Sequence, residues 1–125
     1  MAKIPRISEA EWQVMDVLWS RSPLTANDVV DALARRNSDW EPATIRTMLN
    51  RLVKKRALKF KAEGKRYLYA PAVTREACVR TEGRSFLDRV FGGAPGELIA
   101  HFVEDAKLSK DEIAELRRLL ERKGR

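Results

Sequence analysis

Between residues 42 and 66 the chain places nine cationic side chains, Arg46, Arg51, Lys54, Lys55, Arg56, Lys59, Lys61, Lys65 and Arg66, against one carboxylate, Glu63. The local net charge is +8, and the rest of the chain is balanced to within one charge. Cations clustered this way are the footprint of a polyanion-binding surface, because neutralised phosphates release their condensed counterions. The residues between the cations suit base reading. Alanine and threonine can approach a thymine methyl, arginine can grip guanine O6 and N7 in bidentate fashion, and asparagine can pair with adenine the same way. Ala43, Thr44, Arg46, Thr47, Asn50 and Arg51 are therefore the expected base contacts. Lys54, Lys55 and Arg56, followed by Lys61, Lys65 and Arg66, are the expected contacts to the DNA backbone or the adjacent minor groove.

Two elements must present these groups. Ile45, Met48, Leu49, Leu52 and Val53 recur at helical spacing, which predicts a helix over about 42–55 with those residues inward. Pro42 is tolerated at its first position, where the missing N–H costs nothing. Ala43, Thr47, Asn50, Arg51 and Lys54, flanked by Thr44 and Arg46, then fall on an outer face without an acid. Period two follows: Leu58 and Phe60 alternate with Lys59 and Lys61, and Tyr67 and Tyr69 mirror them across Ala62-Glu63-Gly64-Lys65. This reads as a β-hairpin with a glycine-containing tip and a basic outer face, ended by Pro71.

Two helices precede them. Ser8 and Glu11 form a capping-box pattern, and Ala10, Val14, Val17 and Leu18 give an amphipathic helix over 8–20 that stops at Ser22-Pro23. Thr25 opens the next, with Val29, Val30 and Leu33 inward and Arg35-Arg36 near its end. Asn37-Ser38-Asp39 reads as a turn. Three helices and a hairpin make a winged helix-turn-helix. Trp12, Trp19 and Trp40 sit where inter-helix packing is favoured over stacking on DNA, and Tyr67 and Tyr69 read as wing-to-core contacts.

The excess positive charge disappears after residue 74. Thr74 caps a predicted helix running to about Phe91, Gly92-Gly93-Ala94-Pro95-Gly96 breaks it, and a short helix follows over 95–106. Ser109 and Glu112 form a second capping box, opening a last helix. Phe86, Leu87, Val90, Phe91, Leu98, Ile99, Phe102, Val103, Ile113, Leu116, Leu119 and Leu120 supply apolar faces that three short helices can scarcely bury against one another. Pairing with a second copy would cover them. The expected organisation is a mainly α chain with a small β-hairpin, divided into a winged-helix DNA-binding domain over 1–74 and a helical dimerisation domain over 75–125.

Composition narrows the function classes. The chain has 125 residues, net charge +7, one histidine and one cysteine, too short for a (β/α)₈ barrel. It has no cysteine pair for an intrachain disulfide and no two-histidine zinc motif. No apolar run approaches a membrane span, and residues 1–6 lack the apolar core of a signal peptide, so a cytoplasmic protein is expected. No cofactor motif, catalytic framework or phosphate loop is present, so neither enzyme activity nor a cofactor or metal is expected. His101 lies four residues after Glu97, short of a metal site, and Cys78 reads as a packed or half-exposed thiol.

The order of motifs resembles the penicillinase-repressor (BlaI/MecI-type) family almost throughout. The matching stretches are Ile7-Ser8-Glu9-Ala10-Glu11-Trp12-Gln13-Val14-Met15 with Leu18-Trp19, Thr25-Ala26-Asn27-Asp28-Val29-Val30, and Trp40-Glu41-Pro42-Ala43-Thr44-Ile45-Arg46-Thr47. Asn50-Arg51-Leu52-Val53-Lys54-Lys55, Ser85 to Gly93, Phe102-Val103 and Leu108 to Leu116 continue the match. The resemblance implies a homodimeric winged-helix repressor of antibiotic-resistance type, bound to a palindromic operator through its third helix. It further implies relief of repression by an inducing signal such as proteolysis in the dimerisation domain, triggered by a membrane-bound sensor metalloprotease. The family's scissile Asn-Phe junction falls here on His101-Phe102, within Leu98-Ile99-Ala100-His101-Phe102, with histidine replacing asparagine. Ala43 stands where relatives often carry lysine. The cysteine-rich tail of the copper-responsive branch has no counterpart in Glu121 to Arg125, so copper sensing by that device is not expected. The alternatives are a winged-helix module that binds RNA or a protein partner, and a sequence-independent DNA binder.

Overall fold

A computed structural model describes residues 3–36 and 39–125. The elements run α1 Glu9–Ser20, α2 Ala26–Arg36, α3 Pro42–Lys54, β1 Leu58–Glu63, β2 Arg66–Pro71, α4 Arg75–Phe91, α5 Pro95–Asp105 and α6 Lys110–Lys123. Asn37 and Ser38 of the expected turn lie outside the described residues. The mainly helical fold with one antiparallel hairpin matches the expectation, element by element.

Local chemistry sets the helix starts. At α1 the Ser8 amide donates to Glu11 Oε1 (2.9 Å) and the Glu11 amide to Ser8 Oγ (3.1 Å), satisfying two donors that the first turn would otherwise leave unpaired. Thr25 and Asp28 repeat the exchange at α2 (3.1 and 3.2 Å). The Thr25 amide and hydroxyl bonds, in that order, hold the Asp28 carboxyl below its ordinary value. At α3 no side chain caps the start, and Pro42 removes one donor from the count.

The end of α3 holds an unusual residue. The Arg56 amide donates to Val53 O (3.0 Å) and the Ala57 amide to Leu52 O (2.9 Å), a Schellman pair that requires a left-handed residue between helix and strand. That residue is Arg56, with φ of 67°. Glycine adopts this conformation without a Cβ clash, and other residues pay for it. Arg56→Gly is therefore expected to raise stability by up to about 1 kcal/mol, measured as a higher urea midpoint.

The N-terminal unit, residues 1–83, closes on one core: Val14, Met15 and Leu18 of α1, Val29 and Leu33 of α2, Ile45, Leu49 and Leu52 of α3, and Leu58 and Tyr69 of the hairpin. Strand pairing runs Leu58 to Pro71 through Glu63 to Arg66, so the strands reach closer to the tip than the sequence suggests and leave Gly64-Lys65 as the turn. Gly64, φ 63°, takes the first place of a two-residue turn, where glycine is preferred. Leu24 adds a bridge to Tyr69, through Leu24 N to Tyr69 O (3.0 Å) and Tyr69 N to Leu24 O (2.7 Å), which local periodicity does not reveal. Trp12 and Trp19 meet edge to face at 5.2 Å, and Trp19 Nε1 donates to Val73 O (3.0 Å). Both, with Trp40, pack against the core, as their positions indicate.

The division between compact units falls between Gly83 and Arg84, inside α4 rather than at residue 74. The first half of α4 belongs to the winged helix because Cys78 is buried in its core. Burial, and then the Glu82 carboxylate, push the Cys78 thiol up, so it stays protonated near neutral pH.

Residues 84–125 form the second unit. Gly92 and Gly93 (φ 59° and 82°) end α4, with the Gly93 amide bonded to Leu87 O (3.1 Å). Ser109 and Glu112 make the second capping box, both bonds at 3.1 Å. Neither α5 nor α6 has a buried residue.

Candidate nucleic-acid interface

The core fixes which side of α3 is free. With Ile45, Met48, Leu49 and Leu52 buried, the helical period turns Ala43, Thr44, Arg46, Thr47, Asn50, Arg51 and Lys54 outward, and all seven are exposed. The helix contains no acid. Two of these side chains are already engaged. Arg46 Nη2 donates to Asn27 Oδ1 on α2 (2.7 Å), which orients the guanidinium and leaves its other N–H groups available. Thr47 Oγ1 donates to Ala43 O (2.9 Å), so its hydroxyl proton is spent within the helix.

Lys55 differs from its neighbours. Its ammonium lies 2.6 Å from Glu11 Oε1 and 3.1 Å from Arg6 O, bridging the end of α3 to the start of α1. Glu11 is the buried charged residue among those described. Burial raises its carboxyl, yet the Lys55 hydrogen bond, the Ser8 amide and hydroxyl and the Lys55 charge together bring it below its ordinary value. The sequence reading of Lys55 as a backbone contact meets a cation already committed to an internal pair. Arg56, one residue on, is exposed and carries the left-handed turn.

On the hairpin, Lys61, Lys65 and Arg66 are exposed, and Arg66 lies 3.5 Å from Glu63. Strand alternation puts Lys59, Lys61, Leu68 and Ala70 on one face and Leu58, Phe60, Tyr67 and Tyr69 on the other. Leu58 and Tyr69 are buried, whereas Phe60 and Tyr67 are 52% and 53% exposed, because the hairpin leaves the core after its first pairs. The wing-to-core reading therefore holds for Tyr69 and not for Tyr67. The aromatic pair instead flanks a cleft with Asn50 and Lys54 of α3, a feature that the alternation pattern alone does not distinguish from core.

In the second unit, Phe86, Val90, Ile99, Phe102, Val103, Ile113, Leu116, Leu119 and Leu120 are exposed, and Leu87, Phe91 and Leu98 are half-buried. His101 and Phe102 are exposed on α5. His101 Nε2 lies 3.5 Å from Asp105 Oδ2, one turn on, and its ring lies 6.0 Å from that of Phe91. Among the described residues no three His, Cys, Asp or Glu side chains cluster to hold a metal, and no helix is long and apolar enough to cross a membrane.

Three helices, a basic two-stranded wing and a bridge from Leu24 define a winged helix-turn-helix protein. The penicillinase repressor family profile matches residues 7–122. The chain is 40% identical over 121 residues to the penicillinase repressor of Bacillus licheniformis, covering 97% of this chain and 94% of that one. It is 36% identical to the methicillin resistance regulatory protein MecI of Staphylococcus aureus strain N315, over 97% and 98%. The solution structure of monomeric Bacillus licheniformis BlaI in complex with the blaP half-operator superposes with a TM-score of 0.52 at 43% identity, covering 61% of this chain and 92% of that one. The chain belongs to the penicillinase repressor family, a family of transcriptional repressors and not of enzymes.

Proposed function

We propose that this protein is a cytoplasmic, homodimeric repressor that seats α3 in the major groove of a palindromic DNA operator and lays the hairpin along the flanking backbone. One observation carries the reading: the α3 face left free by the core is acid-free and exposed, and its Asn50 and Lys54 share a cleft with Phe60 and Tyr67 of the basic hairpin. Base contacts fall to Ala43, Thr44, Arg46, Thr47, Asn50 and Arg51, with the Thr47 methyl facing outward once its hydroxyl is bonded to Ala43 O. Lys54, Arg56, Lys61, Lys65 and Arg66 serve the phosphates. The half-operator complex of the Bacillus licheniformis relative supports this docking. The exposed apolar faces of α4, α5 and α6 support pairing with a second copy, which would set two recognition helices about one DNA turn apart. Exposure of His101-Phe102 on α5 is compatible with cleavage there by a sensor metalloprotease system.

Selection of a duplex from a random pool, followed by binding measured across a salt series, tests the reading. Affinity should fall steeply with salt as counterions are retained. A flat dependence would sink the phosphate contacts, and equal affinity for unselected duplexes would sink base reading. Arg51→Ala is expected to cost about 1–3 kcal/mol on the selected duplex and to relax its sequence preference. Lys65→Ala should instead weaken all duplexes alike and reduce the salt slope by about one.

A further inference from the structure

The cleft between α3 and the hairpin is lined by Asn50, Val53, Lys54, Phe60, Tyr67 and Tyr69 and encloses about 300 Å³. Its floor is carbon. Tyr69 closes into the core, while Phe60 and Tyr67 stand edge to face with centroids 5.0 Å apart and keep half of their surface open. Its rim is polar, with the Asn50 amide and the Lys54 ammonium on the exposed side of α3. We propose that this cleft receives one sugar–phosphate unit of the DNA strand flanking the recognition helix, with deoxyribose carbons against Phe60 and Tyr67 and the phosphate at Lys54.

A strand of DNA repeats an anion next to an apolar sugar face, and the cleft repeats that pairing in complementary form. Continuity argues the same way, since Asn50 and Lys54 lie on the α3 face assigned to the duplex. The lysines of the hairpin's other face cannot take this role. Lys59 and Lys61 line a separate groove with Ser22, Pro23, Glu63, Leu68 and Ala70, which Phe60 also borders, and strand alternation puts the two lysines on the face opposite Tyr67. An apolar contact of this kind adds affinity without releasing counterions, which separates it from a lysine contact.

The inference rests on the DNA-binding reading above, and one titration separates their failures. The full chain and the double variant Phe60→Ala/Tyr67→Ala are titrated with a duplex recovered from a random-sequence pool, at several salt concentrations, with thermal unfolding followed in parallel. The double variant should stay folded at the assay temperature and lose about tenfold in affinity with an unchanged salt slope. Lys54→Ala should lower the slope by about one. Tyr67→Phe keeps the ring and should bind like the parent. Affinity of the double variant within twofold of the parent overturns the proposal, as does a slope change like that of Lys54→Ala. Loss on Tyr67→Phe also overturns it, since the contact would then be a hydrogen bond. A parent chain that selects no duplex fails the function reading itself.

Discussion

Lys55→Met is expected to lower the stability of the folded chain by about 3 kcal/mol at pH 7, the low end for breaking a buried ion pair because the Lys55 side chain keeps 31% of its surface exposed. The cost falls on Glu11. Its Oε1 accepts from both Lys55 and the Ser8 amide, its Oε2 is buried with no partner, and removal of the lysine strands a carboxylate away from water. The pH dependence follows from the direction of the shift. In the parent, the Glu11 carboxyl lies below its ordinary value, so its contribution is complete above the unfolded value, about 4.3, and is lost as pH falls through the lower folded value. In the variant the Lys55 hydrogen bond and charge are gone while burial remains, so the carboxyl rises from the parent's value. The parent then outstrips the variant most near neutral pH, and the gap narrows as pH falls from the variant's higher value towards the parent's lower one, beneath which Glu11 is protonated in both. Urea unfolding at pH 7 and pH 4 measures this. A gap of equal size at both would show that the ion pair is not its source. Because the ammonium is already committed to Glu11 and the Arg6 carbonyl, the folded variant should keep the parent's salt slope on duplex DNA.

The second large effect concerns the surface that the isolated chain leaves uncovered. Leu116 and Leu120, one turn apart on α6, are 37% and 56% exposed, and they continue an apolar stripe with Ile113 and Leu119. Leu116→Glu/Leu120→Glu should convert a dimer of 14.3 kDa subunits into monomers, read as a halved mass by light scattering. Affinity for a full palindrome should then fall by about 10²–10⁴, because the second half-site no longer benefits from a tethered partner. Affinity for a single half-site should not change. A mass that stays doubled in the variant, or a parent already monomeric at micromolar concentration, would remove 84–125 from the role of dimerisation. A fragment ending at Gly83 makes the complementary sample. It retains Cys78 in the core, whereas one ending at residue 74 opens that site.

Much of the binding face is legible without a structure. The period of Ile45, Met48, Leu49 and Leu52 decides which side of α3 faces in, and so which residues face out. Ser8-Glu11 and Ser109-Glu112 mark their helix starts within one residue, because capping is a contact over three positions. Localisation of the charge needs only counting. The hairpin is half legible. Alternation marks Leu58, Phe60, Tyr67 and Tyr69 as one face, and it cannot tell that the core ends beneath the first pairs and leaves Phe60 and Tyr67 open.

By itself the sequence determined the element types, their order, the acid-free face of α3 and the placement of nearly all excess charge on one helix and one hairpin. These are local quantities, set by periods of two and 3.6 and by contacts a few residues long. The tertiary structure decided which cations are free. Lys55 meets Glu11 across 44 residues of chain, Arg46 meets Asn27 across 19, and Leu24 pairs with Tyr69. It also moved the unit boundary into α4 by burying Cys78. Each of these joins segments whose spacing in the chain carries no signal, and only the closing of the core brings them within bonding distance.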